Sequence, residues 1–194
     1  MRQPMEDRIV TISRAKLTVE YPTSFMLVAS MNPCPCGYYN HPDKDCTCAP
    51  CIVQRYLNKI SGPLLDRIDI HVEVVPVPFR ELSSEYKSER SETIRERVVN
   101  ARKIQEERYK SSKGIYCNAQ MTSKQLRQIC RIDETGQTLL KNAMEKLSLS
   151  ARAYDRILKV ARTIADLDKS EEIKTEHLAE AIQYRSLDRE TWGG

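Results

Sequence analysis

Five of the seven cysteines in this chain crowd between Cys34 and Cys51, in the stretch ASMNPCPCGYYNHPDKDCTCAPC. Cys34 and Cys36 form one C-x-C pair, and Cys46 and Cys48 form a second after nine intervening residues. Four thiolates complete the tetrahedral shell of a zinc ion, which asks no redox chemistry of its ligands. The intervening GYYNHPDKD is turn-rich and short, as a loop closed by metal must be. The four cysteines therefore read as ligands of a structural Zn2+, with His41 and Cys51 as spare donors. The alternatives are ordinary reduced cysteines or a redox pair. In a reducing compartment such a cluster points to metal rather than to disulfides. Cys117 and Cys130 fall in helical context and read as packing residues.

The segments around this loop change character along the chain. Residues 24–32, SFMLVASMN, are a continuous apolar run bounded by YPT and NP, the pattern of a strand buried on both faces. Residues 68–78, IDIHVEVVPVP, alternate, with Ile68, Ile70, Val72 and Val74 on one side, and predict a second strand. A short helix, CIVQRYLNKI, is expected between them. Two strands and one short helix cannot cover a buried sheet, so a segment preceding Met1 is expected to complete it.

From about Ser88 onward the period becomes helical. Ile94, Val98, Ala101 and Gln105 recur inside a charged stretch. Thr122 and Gln125 make a capping box ahead of Leu126, Ile129 and Cys130. Further helices carry Leu139, Leu140, Ala143, Met144 and Leu147, then Ile157, Leu158, Ala161, Ile164 and Ala165. A last helix, capped by Thr175, carries Leu178, Ala181 and Ile182. The expected fold class is α/β plus all-α. Residues 1–80 form part of an α/β core, 81–115 a charged connecting helix, and 116–194 a helical bundle.

With 31 basic and 27 acidic residues the net charge is +4, which permits contact with nucleic acid without requiring it. No apolar run approaches the ~20 residues of a membrane span. The N-terminus MRQPMEDRIV has no signal-peptide core, so a cytoplasmic, membrane-free protein is expected.

Three further places carry polar chemistry. Asn32 closes the first apolar run, where open α/β sheets place ligand sites, although Asn before Pro also starts turns. Arg67 lies between Asp66 and Asp69 just before the second run. Chemistry alone favours a structural ion pair there, the other role being a finger that stabilises charge on a phosphoryl group. Arg152 and Arg156 stand four apart at the start of a helix, opposite its apolar stripe. They suit a phosphate, and equally a solvated charged face.

Taken in order, MRQPMEDRIVTISRA, LVASMNPCPCGYY, the paired C-x-C, ISGPLLDRIDIHVEV and LSARAYDRILKVARTIADL resemble the C-terminal part of the ComM/YifB proteins, magnesium-chelatase-like AAA+ ATPases related to the replicative MCM helicases. The resemblance runs from Met1 to about Arg189. It implies an AAA+ core followed by a helical lid. Asn32 would be the sensor-1 residue, Arg67 an arginine finger acting on a neighbour's ATP, and Arg152 the sensor-2 arginine. It makes VTISRAKL, residues 10–17, a hairpin facing a ring channel, with Arg14 and Lys16 as DNA-backbone contacts. The implied protein is a homo-hexameric, ATP- and Mg2+-dependent DNA helicase or branch-migration motor, with this chain alone a monomer or weak oligomer. A chelatase-type subunit and a zinc-stabilised DNA-binding module are the alternatives. One departure matters: no G-x-x-x-x-G-K-[ST] phosphate loop occurs in the sequence, and no apolar run ending in acidic Mg2+ ligands. The chain by itself is therefore expected not to hydrolyse ATP.

Overall fold

The structure, a computed structural model, describes residues 2–77 and 88–185, which fall into two compact units, residues 2–68 and residues 69–185.

The first unit opens with helix α1 (Arg2–Asp7) and an antiparallel hairpin of β1 (Ile9–Arg14) and β2 (Leu17–Pro22). The register runs from Ile9 opposite Pro22 to Arg14 opposite Leu17, so Ala15 and Lys16 alone make the turn. The expected hairpin over residues 10–17 is present. Cross-strand Ser13 and Thr18 hydroxyls meet at 3.0 Å, and the Thr23 N–H donates to Arg8 O at 2.7 Å, closing the open end. Helices α2 (Pro50–Leu57) and α3 (Gly62–Leu65) follow. Pro50 starts α2 with its φ already helical and no N–H to satisfy. Val53 and Leu57, one turn apart, are the side chains this helix buries. They form a very small core with Cys34, flanked by Cys36, Tyr39, Cys46, Cys48 and Tyr56.

The two expected strands are not formed. Residues 24–32 and the described part of 68–78, to Val77, have no regular secondary structure and belong to no sheet among the described residues, whose sheet is the β1–β2 hairpin. Met26, in the run expected to be buried on both faces, is 86% exposed, and Val74, on the expected apolar side of the alternating run, is 88% exposed. The physical reason is pairing. An apolar run expresses compatibility with a sheet, and becomes a strand only when another backbone meets its N–H and C=O groups. Among the described residues the His71 N–H donates to Tyr184 O at 2.9 Å, but no ladder of such bonds forms along either run.

The second unit is helical: α4 (Ser91–Tyr109), a 3-10 turn (Asn118–Gln120), α5 (Ser123–Ile129), α6 (Glu134–Lys146), α7 (Ala151–Leu167) and α8 (Thr175–Gln183). Helix α7 is the hub, packing on α4, α5, α8 and the 3-10 turn. Ile157, Leu158, Ala161 and Ala165 supply the stripe that the periodicity predicts, against Leu126, Leu140, Leu178 and Ala181. The Thr122–Gln125 capping box is formed, Thr122 Oγ1 accepting from the Gln125 N–H at 3.3 Å. The cap of α8 is Lys174 rather than Thr175, and its N–H is met by His177 Nδ1 at 3.1 Å. A histidine three residues on thus takes the reciprocal role the sequence pattern gives to Glu or Gln. Of the charged connecting helix, Ala101 and Gln105 are buried, while Ile94 and Val98 are exposed. Residues 78–87 and 186–194, which include the end of the second expected strand and part of the connecting segment, lie outside the described residues.

A polar cluster locks the centre of this unit. Asp166, 1% exposed, accepts from Arg108 at 2.7 Å, from Asn118 Nδ2 at 2.7 Å and from Arg162 Nε at 3.2 Å. Asn118 Oδ1 in turn accepts from Tyr109 Oη at 2.8 Å, and its backbone N–H donates to Gln105 Oε1 at 3.0 Å. The carboxylate raises the Arg108 pKa, and burial pushes the Tyr109 phenol up to about 12. The cluster ties the end of α4, the 3-10 turn and α7 into one body.

Candidate metal centre and phosphate-handling residues

The loop from Pro33 to Ala49 brings the four predicted thiols together. Their Sγ atoms all lie within 4.8 Å of one another, with Cys34 3.3 Å from Cys36 and 3.7 Å from Cys46, and Cys36 3.5 Å from Cys46. A disulfide has sulfurs about 2.05 Å apart, so none of these contacts is a disulfide. Four ligands about 2.3 Å from a central zinc ion sit about 3.8 Å from one another, close to the spacing found.

The backbone is shaped to deliver them. The Gly37 N–H donates to Cys34 O at 3.0 Å, turning the chain immediately after the first pair, and Gly37 takes φ +83°. An L side chain at that φ is strained, which is why glycine follows Cys36. A second turn, His41 N–H to Tyr38 O at 3.1 Å, reverses the chain towards Cys46. The sulfurs also collect backbone donors: Tyr38 and Thr47 to Cys36, Cys48 to Cys46, and Cys36 to Cys48.

Those donors split the thiols. The Tyr38 N–H, with Cys34 adding to it, draws Cys36 down to about 5. At Cys46 the Cys48 N–H pulls the other way, yet burial and the neighbouring sulfurs Cys36 and Cys34 prevail and push it up to about 12. Cys48 rises for the same reasons against the Cys36 N–H. One thiolate forms readily, and a second beside it is opposed by the first, as in any cluster of like acids without a cation.

The two spare donors stand apart. His41 Nδ1 accepts the Asp43 N–H at 3.0 Å, and its ring lies edge-on to Tyr38 with centroids 5.7 Å apart. Cys51 is exposed on the first turn of α2. Cys130 is buried in the helical core, where desolvation raises its thiol to about 12, in keeping with a packing role.

Arg67, directly after α3 and 8% exposed, has its ion pair with a residue far away in sequence. Its Nη2 donates to Glu6 Oε2 at 2.8 Å, its Nη1 to Pro63 O, and its Nε is buried without an acceptor. The ion pair that chemistry alone favoured is present, with a partner 61 residues away that the sequence does not advertise. Asn32 is exposed in the irregular segment ahead of the thiol loop. Arg14 and Lys16 are exposed at the hairpin tip.

Within the helical unit, Arg152 is exposed on the first turn of α7, which Ser150 caps by accepting the Ala153 N–H at 3.2 Å. Arg156, its expected companion, is instead engaged by Asp69. The signal for the buried cluster was Arg162 and Asp166, one turn apart among the buried positions 161 and 165. Charged residues in that register must be paired inside.

Residues 1–82 match the family described as magnesium chelatase, subunit ChlI, and residues 88–185 match magnesium chelatase, subunit ChlI C-terminal. The chain belongs to this magnesium chelatase ChlI-like family. Among individual proteins it is 42% identical to competence protein ComM of Haemophilus influenzae, over 97% of this chain and 36% of that protein. It is 40% identical to YifB of Escherichia coli over the same shares, and 34% identical to Mb2921c of Mycobacterium bovis over 95% of this chain and 36% of that protein. The chain thus spans 36% of the length of the curated relatives it matches. No helix among the described residues is long and apolar enough to cross a membrane.

Proposed function

We propose that this chain is the sensor and lid portion of a ring-forming AAA+ ATPase, a homo-hexamer that uses ATP to move along DNA. The observation that carries the reading is similarity along 97% of the chain to a protein named for competence, within a nucleotide-driven family. The residues divide the work. Asn32, a neutral amide exposed ahead of the thiol loop, orients the attacking water. Arg67 stabilises charge on the transferred phosphoryl group of a neighbouring subunit. Arg152, at the N-terminal end of α7, adds its charge to a helix end that already favours phosphate. Arg14 and Lys16 contact the DNA backbone from the hairpin tip. Mg2+-ATP, when bound, supplies the bond whose hydrolysis drives movement. Its phosphate loop and Mg2+ ligands come from the remainder of the protein, because this sequence holds no such motifs. The four-thiol cluster stands outside that chemistry: four protein donors leave no coordination position for a substrate.

A chelatase-type motor would share the same arginines and amide, and a DNA-binding module would share the basic hairpin. ATP turnover by the full-length protein, measured with and without single-stranded and duplex DNA, separates the three. The motor is expected to hydrolyse ATP faster with DNA, and this chain alone not at all. Turnover indifferent to DNA favours the chelatase, and DNA binding without turnover the module.

A further inference from the structure

We infer that Cys34, Cys36, Cys46 and Cys48 bind a single Zn2+ ion as four thiolates, and that this ion, more than apolar burial, folds the segment from Pro33 to Leu57. The inference is independent of the ATPase reading. Three geometric observations carry it. The four sulfurs are in mutual contact at spacings that suit one tetrahedral ion and are too close for an iron–sulfur cluster, whose ligands surround several atoms. Two backbone turns, Gly37 N–H to Cys34 O at 3.0 Å and His41 N–H to Tyr38 O at 3.1 Å, fold the loop so that the two C-x-C pairs meet. The apolar core of the segment consists of Cys34, Val53 and Leu57, and one of those three is itself a ligand.

The last observation sets the role. Two buried aliphatic side chains are too few to offset the ordering of a loop rich in turns and polar residues, and small units of this kind depend on a staple. Binding forms four Zn–S bonds and releases the protons the thiols still carry, leaving the site of four thiolates and one Zn2+ with net charge −2. Lys44, whose ammonium lies 4.9 Å from the Tyr38 ring centroid, stands on the same loop. With four protein ligands the ion has no open position, so its contribution is folding energy rather than catalysis. His41 and Cys51 are excluded from the shell, the first by its hydrogen bond to the Asp43 N–H and the second by its place on α2.

The test measures metal content of the whole purified chain by elemental analysis, with protease cleavage inside residues 33–57 as the structural readout. About one zinc per chain is expected. It should be lost in Cys34→Ser and Cys48→Ser, and retained in His41→Ala, Cys51→Ser and Cys130→Ser. Removing the metal with a chelator should open the 33–57 segment to protease and leave the circular dichroism of the helical unit unchanged. Because Cys34→Ser removes a buried side chain, reconstitution of the wild-type chain with Co2+ gives a second reading that needs no variant. Strong thiolate-to-cobalt charge transfer with the d–d bands of a tetrahedral four-sulfur site is expected. A chain without metal whose loop resists protease would overturn the inference. So would zinc retained in both serine variants, zinc lost in Cys51→Ser or His41→Ala, or iron as the bound metal.

Discussion

Replacing Asp166 with alanine is expected to cost the helical unit about 3–5 kcal/mol, the largest loss of stability for any single substitution discussed for that unit. The carboxylate is 1% exposed and is the common acceptor for Arg108, Asn118 and Arg162. Its removal leaves two guanidinium groups sharing the centre of the unit without a counter-charge. Arg162, 2% exposed, retains the Glu171 and Ser170 carbonyls, whereas Arg108 loses both of its carboxylate bonds. A mean fall of this size shifts the melting temperature by at least about 10 °C for a domain near 100 residues. Thermal unfolding followed by helical circular dichroism reads it directly. Asp166→Asn, which keeps the shape and one acceptor, should lie between wild type and alanine. A change of only a few tenths of a kcal/mol in the alanine variant would mean that the cluster is solvated and does not tie α4 to α7.

The second large effect concerns Arg67. In the full-length protein Arg67→Ala is expected to lower ATP turnover by a factor of about 10³–10⁵, the range found for arginine fingers, while nucleotide still binds. The side chain has a structural job as well, since it is 8% exposed and paired with Glu6 at 2.8 Å. Glu6→Gln separates the two roles. It removes the charge from the partner and leaves the guanidinium in place. If Arg67 works on phosphate, Glu6→Gln retains turnover within a few-fold while Arg67→Ala loses it. If Arg67 serves only the ion pair, both variants lose stability and turnover in parallel, and the finger assignment fails.

How far the sequence reveals this architecture depends on how local each signal is. The helices from Ser91 to Gln183 and the Thr122–Gln125 box follow from patterns within a few residues and form where expected, whereas the hairpin at residues 10–17 was implied by the family resemblance alone. The thiol cluster was equally legible, because two C-x-C pairs with a glycine after the first already describe the turns that bring the sulfurs together. What the pattern could not supply was pairing over distance. Residues 24–32 have the composition of a buried strand, but composition does not provide a neighbouring backbone, and Met26 and Val28 stay exposed. The partners of Arg67 and Arg156 lie 61 and 87 residues away, and nothing adjacent to either arginine selects Glu6 or Asp69. Two aspartates flanking Arg67 were the obvious partners by sequence. One of them, Asp69, engages Arg156 instead. Asn118 is a case of a different kind: its role depends on two helices, α4 and α7, meeting around it, and a lone Asn before Ala gives no sign of that.

The central claim is that Arg67 completes an ATP site belonging to a neighbouring subunit, and mixing two inactive variants of the full-length protein tests it most directly. One variant is Arg67→Ala. The other carries its substitution at the phosphate-loop lysine expected in the remainder of the protein, with Arg67 intact. Each alone should be close to inactive. Mixed and allowed to exchange subunits, they should recover ATP turnover, because some sites then join a sound phosphate loop to a neighbour's sound arginine. Mixtures that assemble but stay as inactive as their parents would contradict the account, placing Arg67 in service of its own subunit.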